Sequence, residues 1–206
     1  MIKRLFDIIF ALTGLIISFP LLLALVIGIK LTSEGPAFYR GIRVGKNGKK
    51  FKIFKFRTMV INADKIGGPS TSDDDPRITK IGHFIRNYKL DELAQLLNVL
   101  KGDMSIVGPR PEVQQEVDLY NEEERKLLAI RPGITDYASI KFHNEGEILK
   151  GAADPHEAYK RLIRPEKIHL GLVYVNNPSI SNYFKVIYRT FRILVDSRLT
   201  SCPKEE

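Results

Sequence analysis

A chain of 206 residues with 44% hydrophobic content suits one folded domain, or a smaller domain joined to a membrane segment. Its 32 Lys and Arg against 24 Asp and Glu leave a net charge of +8, which calls for an anionic partner: nucleic acid, anionic lipid or a phosphorylated substrate. The single cysteine, Cys202, excludes an internal disulfide framework and gives no sign of export.

The first element is an apolar run. Ile8–Ile29 carries no charge over 22 residues and lies between Lys3, Arg4 and Asp7 on one side and Lys30 on the other. As a helix it is about 33 Å long, the thickness of a bilayer core. A cleaved signal peptide fits poorly, because the run is long and no Ala-x-Ala site follows it. A simple spanning helix is the plain reading. Pro20, with Ser18 nearby, removes a helical donor in mid-segment and predicts a bend. Positive charge at both ends suits a re-entrant hairpin that returns both ends to the cytoplasmic side.

Lys30 to Arg57 holds nine Lys or Arg residues and one acid, Glu34. Two extended runs, Ala37–Val44 and Lys49–Phe56, flank Asn47-Gly48, which predicts a β-hairpin closed by a tight turn. The plain reading of its charges is a basic ribbon beside anionic lipid. Gly41, Gly45 and Lys46 lack the spacing and the following Ser or Thr of a phosphate loop. Ile66–Asp75 is polar and turn-rich and predicts a mobile linker.

Asp91–Lys101 reads as a helix. Leu90, Leu93, Leu96, Leu97 and Leu100 share one face, and Asp91, Gln95 and Asn98 share another. Glu92 is turned about 100° from Asp91. Adjacent acids at a helix start complement the helix dipole, and they equally suit a nucleophile or a Mg²⁺ ligand. Arg77, Lys80, Arg86 and Lys89 precede the pair, and Gly108-Pro109-Arg110-Pro111 follows it. Two prolines stiffen the backbone that carries Arg110. A helical stretch capped at Asn121, with Glu122, Glu123 and Glu124 in its first turn, ends at Arg131-Pro132-Gly133. Carboxylates among arginines suit phosphoryl transfer better than glycoside hydrolysis. His83, His143, His156 and His169 form no metal motif. From Ile180 onward, Tyr183, Phe184, Ile187, Phe191, Leu194 and Val195 line one helical face opposite Lys185, Arg189 and Arg192, an interfacial pattern or a core-packing helix.

Five strings in order give the chain a resemblance. They are Lys55–Met59 (KFRTM), Asp75–Arg86 (DPRITKIGHFIR), Leu90–Leu93 (LDEL), Asn98–Arg110 (NVLKGDMSIVGPR) with Pro111, and Arg131–Thr135 (RPGIT). Together they resemble the bacterial sugar transferase family, the monotopic polyprenyl-phosphate phosphoglycosyl transferases, over nearly the whole chain. The resemblance implies a mainly α fold with a small β-hairpin, an N-terminal re-entrant membrane helix and interfacial amphipathic helices. The division expected is 1–32 for the membrane hairpin, 33–200 for a catalytic domain on the cytoplasmic face of the bacterial inner membrane, and 201–206 for a polar tail.

The resemblance also implies transfer of a sugar phosphate from a UDP-sugar to polyprenyl (undecaprenyl) phosphate, with UMP released through a covalent aspartyl phosphosugar. Asp91 is the implied nucleophile, and Glu92 its acid/base or metal-associated partner, with Mg²⁺ at the pair. Lys55, Arg57, Arg86, Arg110, Pro111 and Arg131 fall in the motifs around the nucleotide-sugar phosphates. Membrane phospholipid is an expected partner, a homodimer stays open, and nucleic acid is not expected, because central carboxylates repel a polynucleotide backbone. The alternative is a membrane-anchored scaffold or anionic-ligand binder without catalysis. Several positions depart from the family pattern: Phe19-Pro20 for Ser-Pro, Ala94 for proline after Leu93, Asp136–Ile140 and His143 in the loop after RPGIT, and Tyr183 for aspartate.

Overall fold

The computed structural model of the chain describes residues 2–68 and 70–195, so the expected tail 201–206 with Cys202 lies outside the described residues. A single long helix, α1 (Ile2–Thr32), opens the chain and contains Pro20. It is long and apolar enough to cross a membrane. Proline has no N–H to give the Ile16 carbonyl. The Ser18 hydroxyl does not replace it, donating instead to the Gly14 carbonyl at 2.6 Å.

The rest of the protein packs on α1 at two places, one on each side of Pro20. Ala11 and Leu15 meet Leu96, Val99 and Met104. Leu22, Leu25, Val26 and Ile29 meet Ala37, Phe56, Ile85 and Ala94. Between the two contacts, Ile16, Ile17 and Phe19 stand well over half exposed. Asp7, buried in α1, accepts from Ser105 Oγ at 2.9 Å, Ile106 N at 2.8 Å and Tyr183 Oη at 2.9 Å. Tyr183 thus supplies a donor to a buried carboxylate that needs one.

Four short strands follow: β1 (Phe38–Tyr39), β2 (Ile42–Val44), β3 (Lys50–Lys52) and β4 (Lys55–Phe56). They form the expected hairpin with one continuous register, Phe38 opposite Phe56 and Val44 opposite Lys50. The turn is left-handed at Asn47 (φ 55°) and Gly48 (φ 76°), as an Asn-Gly pair allows. The break between β3 and β4 leaves backbone groups at Lys52 and Phe54 for another partner.

After α2 (Ala63–Ile66), the segment expected to be a mobile linker is anchored instead. Asp73 N donates to Gly146 O at 3.0 Å, Ser70 Oγ lies 3.1 Å from His156 Nδ1, and Arg77 donates to Gly68 O at 3.2 Å. Its polar groups find long-range partners that composition does not reveal. Helix α3 (Lys80–Asn87) is capped by Thr79, whose hydroxyl accepts from Gly82 N.

The expected helix Asp91–Lys101 is split. Leu90–Gln95 is a 3₁₀ turn and α4 spans Leu96–Lys101. The tighter turn rotates the faces, so Ala94, Gln95, Asn98 and Val99 are the deepest residues rather than the leucines. A parallel strand pair that the patterning did not predict follows, β5 (Ser105–Val107) with β6 (Gly133–Thr135). A Cβ on Gly133 would come within 2.1 Å of Gly108 N, so this crossing accepts only glycine.

Short helices α5 (Gln114–Asp118), α6 (Tyr137–Lys141) and α7 (Glu145–Ile148) lead to α8 (Pro155–Leu162), α9 (Arg164–Asn176) and α10 (Ile180–Val195). The helical stretch after Asn121 is a 3₁₀ turn, Glu124–Ala129, with a reciprocal cap between Asn121 and Glu124. In α10 the expected single apolar face divides in two. Tyr183 and Val186 are fully buried, while Phe184, Tyr188, Phe191, Leu194 and Val195 are exposed. Phe184 rests edge-on against Phe6 of α1, which joins that outer stripe to the first helix.

Candidate active site

Lys89 takes a left-handed conformation (φ 54°) and turns the chain into the 3₁₀ segment that carries Asp91 and Glu92. Asp91 is 5% exposed, and its Oδ2 lies 2.8 Å from Lys55 Nζ. Lys55 also lies 3.4 Å from Glu92 Oε1, and Arg110 Nη2 reaches the same oxygen at 2.7 Å. Among the described residues, Asp91 Oδ1 accepts no hydrogen bond. One oxygen of the aspartate is therefore held and the other is free.

Burial works to raise the Glu92 carboxyl, and the Arg110 guanidinium and Lys55 ammonium override it, holding the group well below the usual carboxylate range. Glu92 in turn pushes Arg110 upward, against burial. The carboxylate is thus an ion at neutral pH and has no proton to give.

A polar residue that the sequence left without a role, Asn98, holds this geometry. Asn98 accepts from Phe54 N at 2.7 Å and donates to Lys52 O at 3.0 Å, filling the gap between β3 and β4 next to Lys55. Gln95, three residues earlier, is buried too. Their place on the Asp91 face was the available signal. Arg110 is fixed by the Gly108–Gly133 crossing and by Gly133 N donating to Pro109 O at 2.9 Å. Pro111 is buried behind it.

The remaining expected phosphate ligands, Arg57, Arg86 and Arg131, form no hydrogen bond or ion pair with Asp91 or Glu92 among the described residues. Arg57 is buried, and its guanidinium donates to Ser33 O at 3.1 Å, Ser33 Oγ at 2.9 Å and Glu34 O. Arg131 Nε donates to Gly102 O at 2.8 Å, at the end of α4, where Arg4 also binds the Val99 and Leu100 carbonyls. Arg86 sits in the last turn of α3 and, among the described residues, forms no side-chain hydrogen bond or ion pair. In the loop after β6, Asp136 caps α6 by accepting from Ser139 N at 2.6 Å, and burial pushes its carboxyl up. His143 Nδ1 lies 3.2 Å from Ile140 O, and its Nε2 is buried without a partner among the described residues.

A sequence model of the family described as bacterial sugar transferase matches residues 1–197. The chain belongs to that family. It is 36% identical over 197 residues to the UDP-N-acetylgalactosamine-undecaprenyl-phosphate N-acetylgalactosaminephosphotransferase of Aeromonas hydrophila, covering 94% of this chain and 44% of that protein. It is 35% identical over 198 residues to the UDP-glucose:undecaprenyl-phosphate glucose-1-phosphate transferase of Escherichia coli, covering 92% of this chain and 39% of that protein. The exopolysaccharide production protein ExoY of Sinorhizobium fredii is 40% identical over 158 residues, 69% of this chain and 70% of its own length. The chain thus spans less than half the length of the two larger relatives.

Proposed function

We propose that the protein is a monotopic phosphoglycosyl transferase that moves a sugar phosphate from a UDP-sugar to polyprenyl phosphate and releases UMP, the first membrane step of glycan assembly. The observation that carries this reading is the buried Asp91, tethered through one oxygen to Lys55 and free at the other beside the Glu92–Arg110 pair. The names of the relatives, which pair UDP-sugars with undecaprenyl phosphate, support the same donor and acceptor.

In the first step the free Asp91 oxygen attacks the phosphorus nearest the sugar. The bond from that phosphorus to the bridging oxygen breaks, and UMP leaves with the electron pair. In the second step an oxygen of polyprenyl phosphate attacks the aspartyl phosphosugar, forms the diphosphate and restores the carboxylate. Lys55 keeps the attacking group oriented, and Arg110 offers donors to charge on the transferring phosphoryl oxygens. Burial of Asp91 limits water, which would hydrolyse an acyl phosphate.

Mg²⁺ fits the donor chemistry of the pair, because two adjacent carboxylates supply the hard oxygen ligands this metal takes. Among the described residues no third carboxylate joins them. The two would hold the ion together with substrate phosphates and water, the usual ligand mixture for this metal. Bound there, Mg²⁺ would neutralise charge on the diphosphate.

A re-entrant course for α1 rests on its two contacts with the same body on either side of Pro20. The exposed stripe of α10, continuous with α1 through Phe184, suits an interfacial seat on phospholipid at the cytoplasmic face. Cysteines placed at Ile2 and Glu34 in a Cys202→Ser background are expected to label from one side of the membrane.

The transferase reading is tested by incubating reconstituted protein with a panel of UDP-sugars without lipid acceptor. Intact-protein and peptide mass spectrometry should find one phosphosugar on Asp91, with an equal amount of UMP released. Robust lipid product without any adduct would replace the two-step scheme by direct transfer, and an adduct on another residue would move the nucleophile.

A further inference from the structure

We infer that Arg57 is a positioning residue that clamps the exit of α1 to the strand bearing Lys55, coupling the seat of the apolar helix to the Asp91–Glu92 pair. Its guanidinium is committed to three oxygens at that exit, two from Ser33 and one from Glu34. Ser33 itself closes the last turn of α1, with its N–H 3.0 Å and its hydroxyl 3.1 Å from the Ile29 carbonyl. A cation on the final carbonyls also complements the negative end of the helix dipole.

Arg57 is 8% exposed, and its Nε is enclosed without an acceptor among the described residues, so a substrate phosphate reaches it only if the exit moves. On the strand side the connection is short. Arg57 N donates to Ala37 O at 2.9 Å, Phe56 pairs with Phe38, and Lys55 pairs with Tyr39. One residue, Phe56, separates the clamp from Lys55, whose ammonium holds Asp91. A shift of the exit is therefore passed to Lys55 through strand backbone and the packed Phe56, with little side-chain freedom to absorb it.

The kinetic arm of the test rests on the transferase reading, and the labelling arm does not. Arg57→Lys, Ser33→Ala and the double variant are compared in the full-length protein in nanodiscs. Arg57→Lys is expected to lower kcat about tenfold while KM for the UDP-sugar moves less than roughly twofold. The double variant should be no worse than Arg57→Lys alone, since the Ser33 hydroxyl acts through the clamp that Arg57→Lys already breaks. Thiol labelling of Glu34→Cys, in the Cys202→Ser background, should quicken several-fold in Arg57→Lys. A KM rise of about tenfold or more with unchanged labelling would make Arg57 a phosphate ligand and overturn the clamp. Additive effects of the two substitutions would overturn it as well. If Arg57→Lys does not accumulate, Ser33→Ala carries the labelling comparison, and unchanged labelling there counts against the clamp. Absence of UMP release from wild type would sink the transferase reading while the labelling result still decides this one.

Discussion

The segment Pro109–Glu112 separates two clusters of paired charge that look alike and behave differently. On one side Arg110 reaches Glu92, with Lys55 and Asp91 alongside. On the other, Glu112 lies 3.3 Å from Lys167, which also meets Glu145 at 3.6 Å and the Tyr159 hydroxyl at 3.1 Å, while Arg164 contacts Glu116 and Glu124. The cavity within this second cluster is about 20 Å³, room for about one water. Its ions are saturated by one another, so it ties α9 to the Pro109–Glu112 segment and has nothing left for a substrate. The first cluster has fewer ions and an aspartate oxygen without a partner. A buried ion pair by itself is thus no sign of chemistry; a held carboxylate with one oxygen unclaimed is.

The widest separation between the clusters comes from Asp91→Asn. It is expected to abolish turnover and adduct formation, by about 10⁴-fold or more, because the bond-forming atom is removed. Its thermal midpoint should fall only slightly, since asparagine has the same shape and the Lys55 ammonium, itself a quarter exposed, keeps Glu92 at 3.4 Å as its counter-ion. Residual activity above one per cent of wild type would return Asp91 to a structural role. Arg110→Lys comes next. An ammonium cannot reproduce the planar fork, so UMP release should fall about 10- to 100-fold despite the conserved charge. Unchanged kinetics would remove Arg110 from the site.

Lys167→Met sharpens the contrast from the other side. It leaves Glu112 buried without its cation, and breaking such a pair costs about 3 kcal/mol or more. The melting temperature should drop by roughly 10 °C, whereas kcat measured well below the transition changes little. Restoring the melting temperature with Glu112→Gln in the same chain would show that the uncompensated charge is the cause. Loss of kcat without loss of stability would mean that the second cluster takes part in the reaction.

How much of this was legible depended on the range of the interaction. Asp91, Glu92, Lys55 and Arg110 could be named from motif strings, and Asn47-Gly48 carried its own turn chemistry. The turning of Arg57 to Ser33 and of Arg131 to Gly102 was hidden, because spacing does not say which carbonyl a guanidinium will meet 20 or more residues away. The parallel pairing of β5 and β6 was hidden for the same reason, although Gly108 and Gly133 marked both its ends. The buried face of the Asp91 segment was misread because the sequence pattern assumed 3.6 residues per turn where the chain winds as a 3₁₀ turn. Asp7 looked like a flanking charge of the apolar run, and its burial depended on Tyr183, which lies at the far end of the chain.

The smallest expected effect concerns pH and distinguishes two roles for Glu92. Its folded-state pKa lies below the ordinary carboxylate value because Arg110 and Lys55 outweigh burial. A depressed carboxyl contributes stability that is fully present above the unfolded value, about 4.3, and is lost as pH falls through the folded value. Glu92 therefore stays ionised from about pH 5 to 8 and adds no limb to the rate in that window. The measurement is the rate of adduct formation from UDP-sugar alone, which avoids the titration of the lipid phosphate acceptor. Wild type and Glu92→Gln should then show rate profiles of the same shape across this range, with the variant slower throughout. An acid or alkaline limb in wild type that vanishes in Glu92→Gln would make Glu92 a proton-transfer group. A limb shared by both proteins belongs to another residue and leaves Glu92 as an electrostatic partner of Asp91.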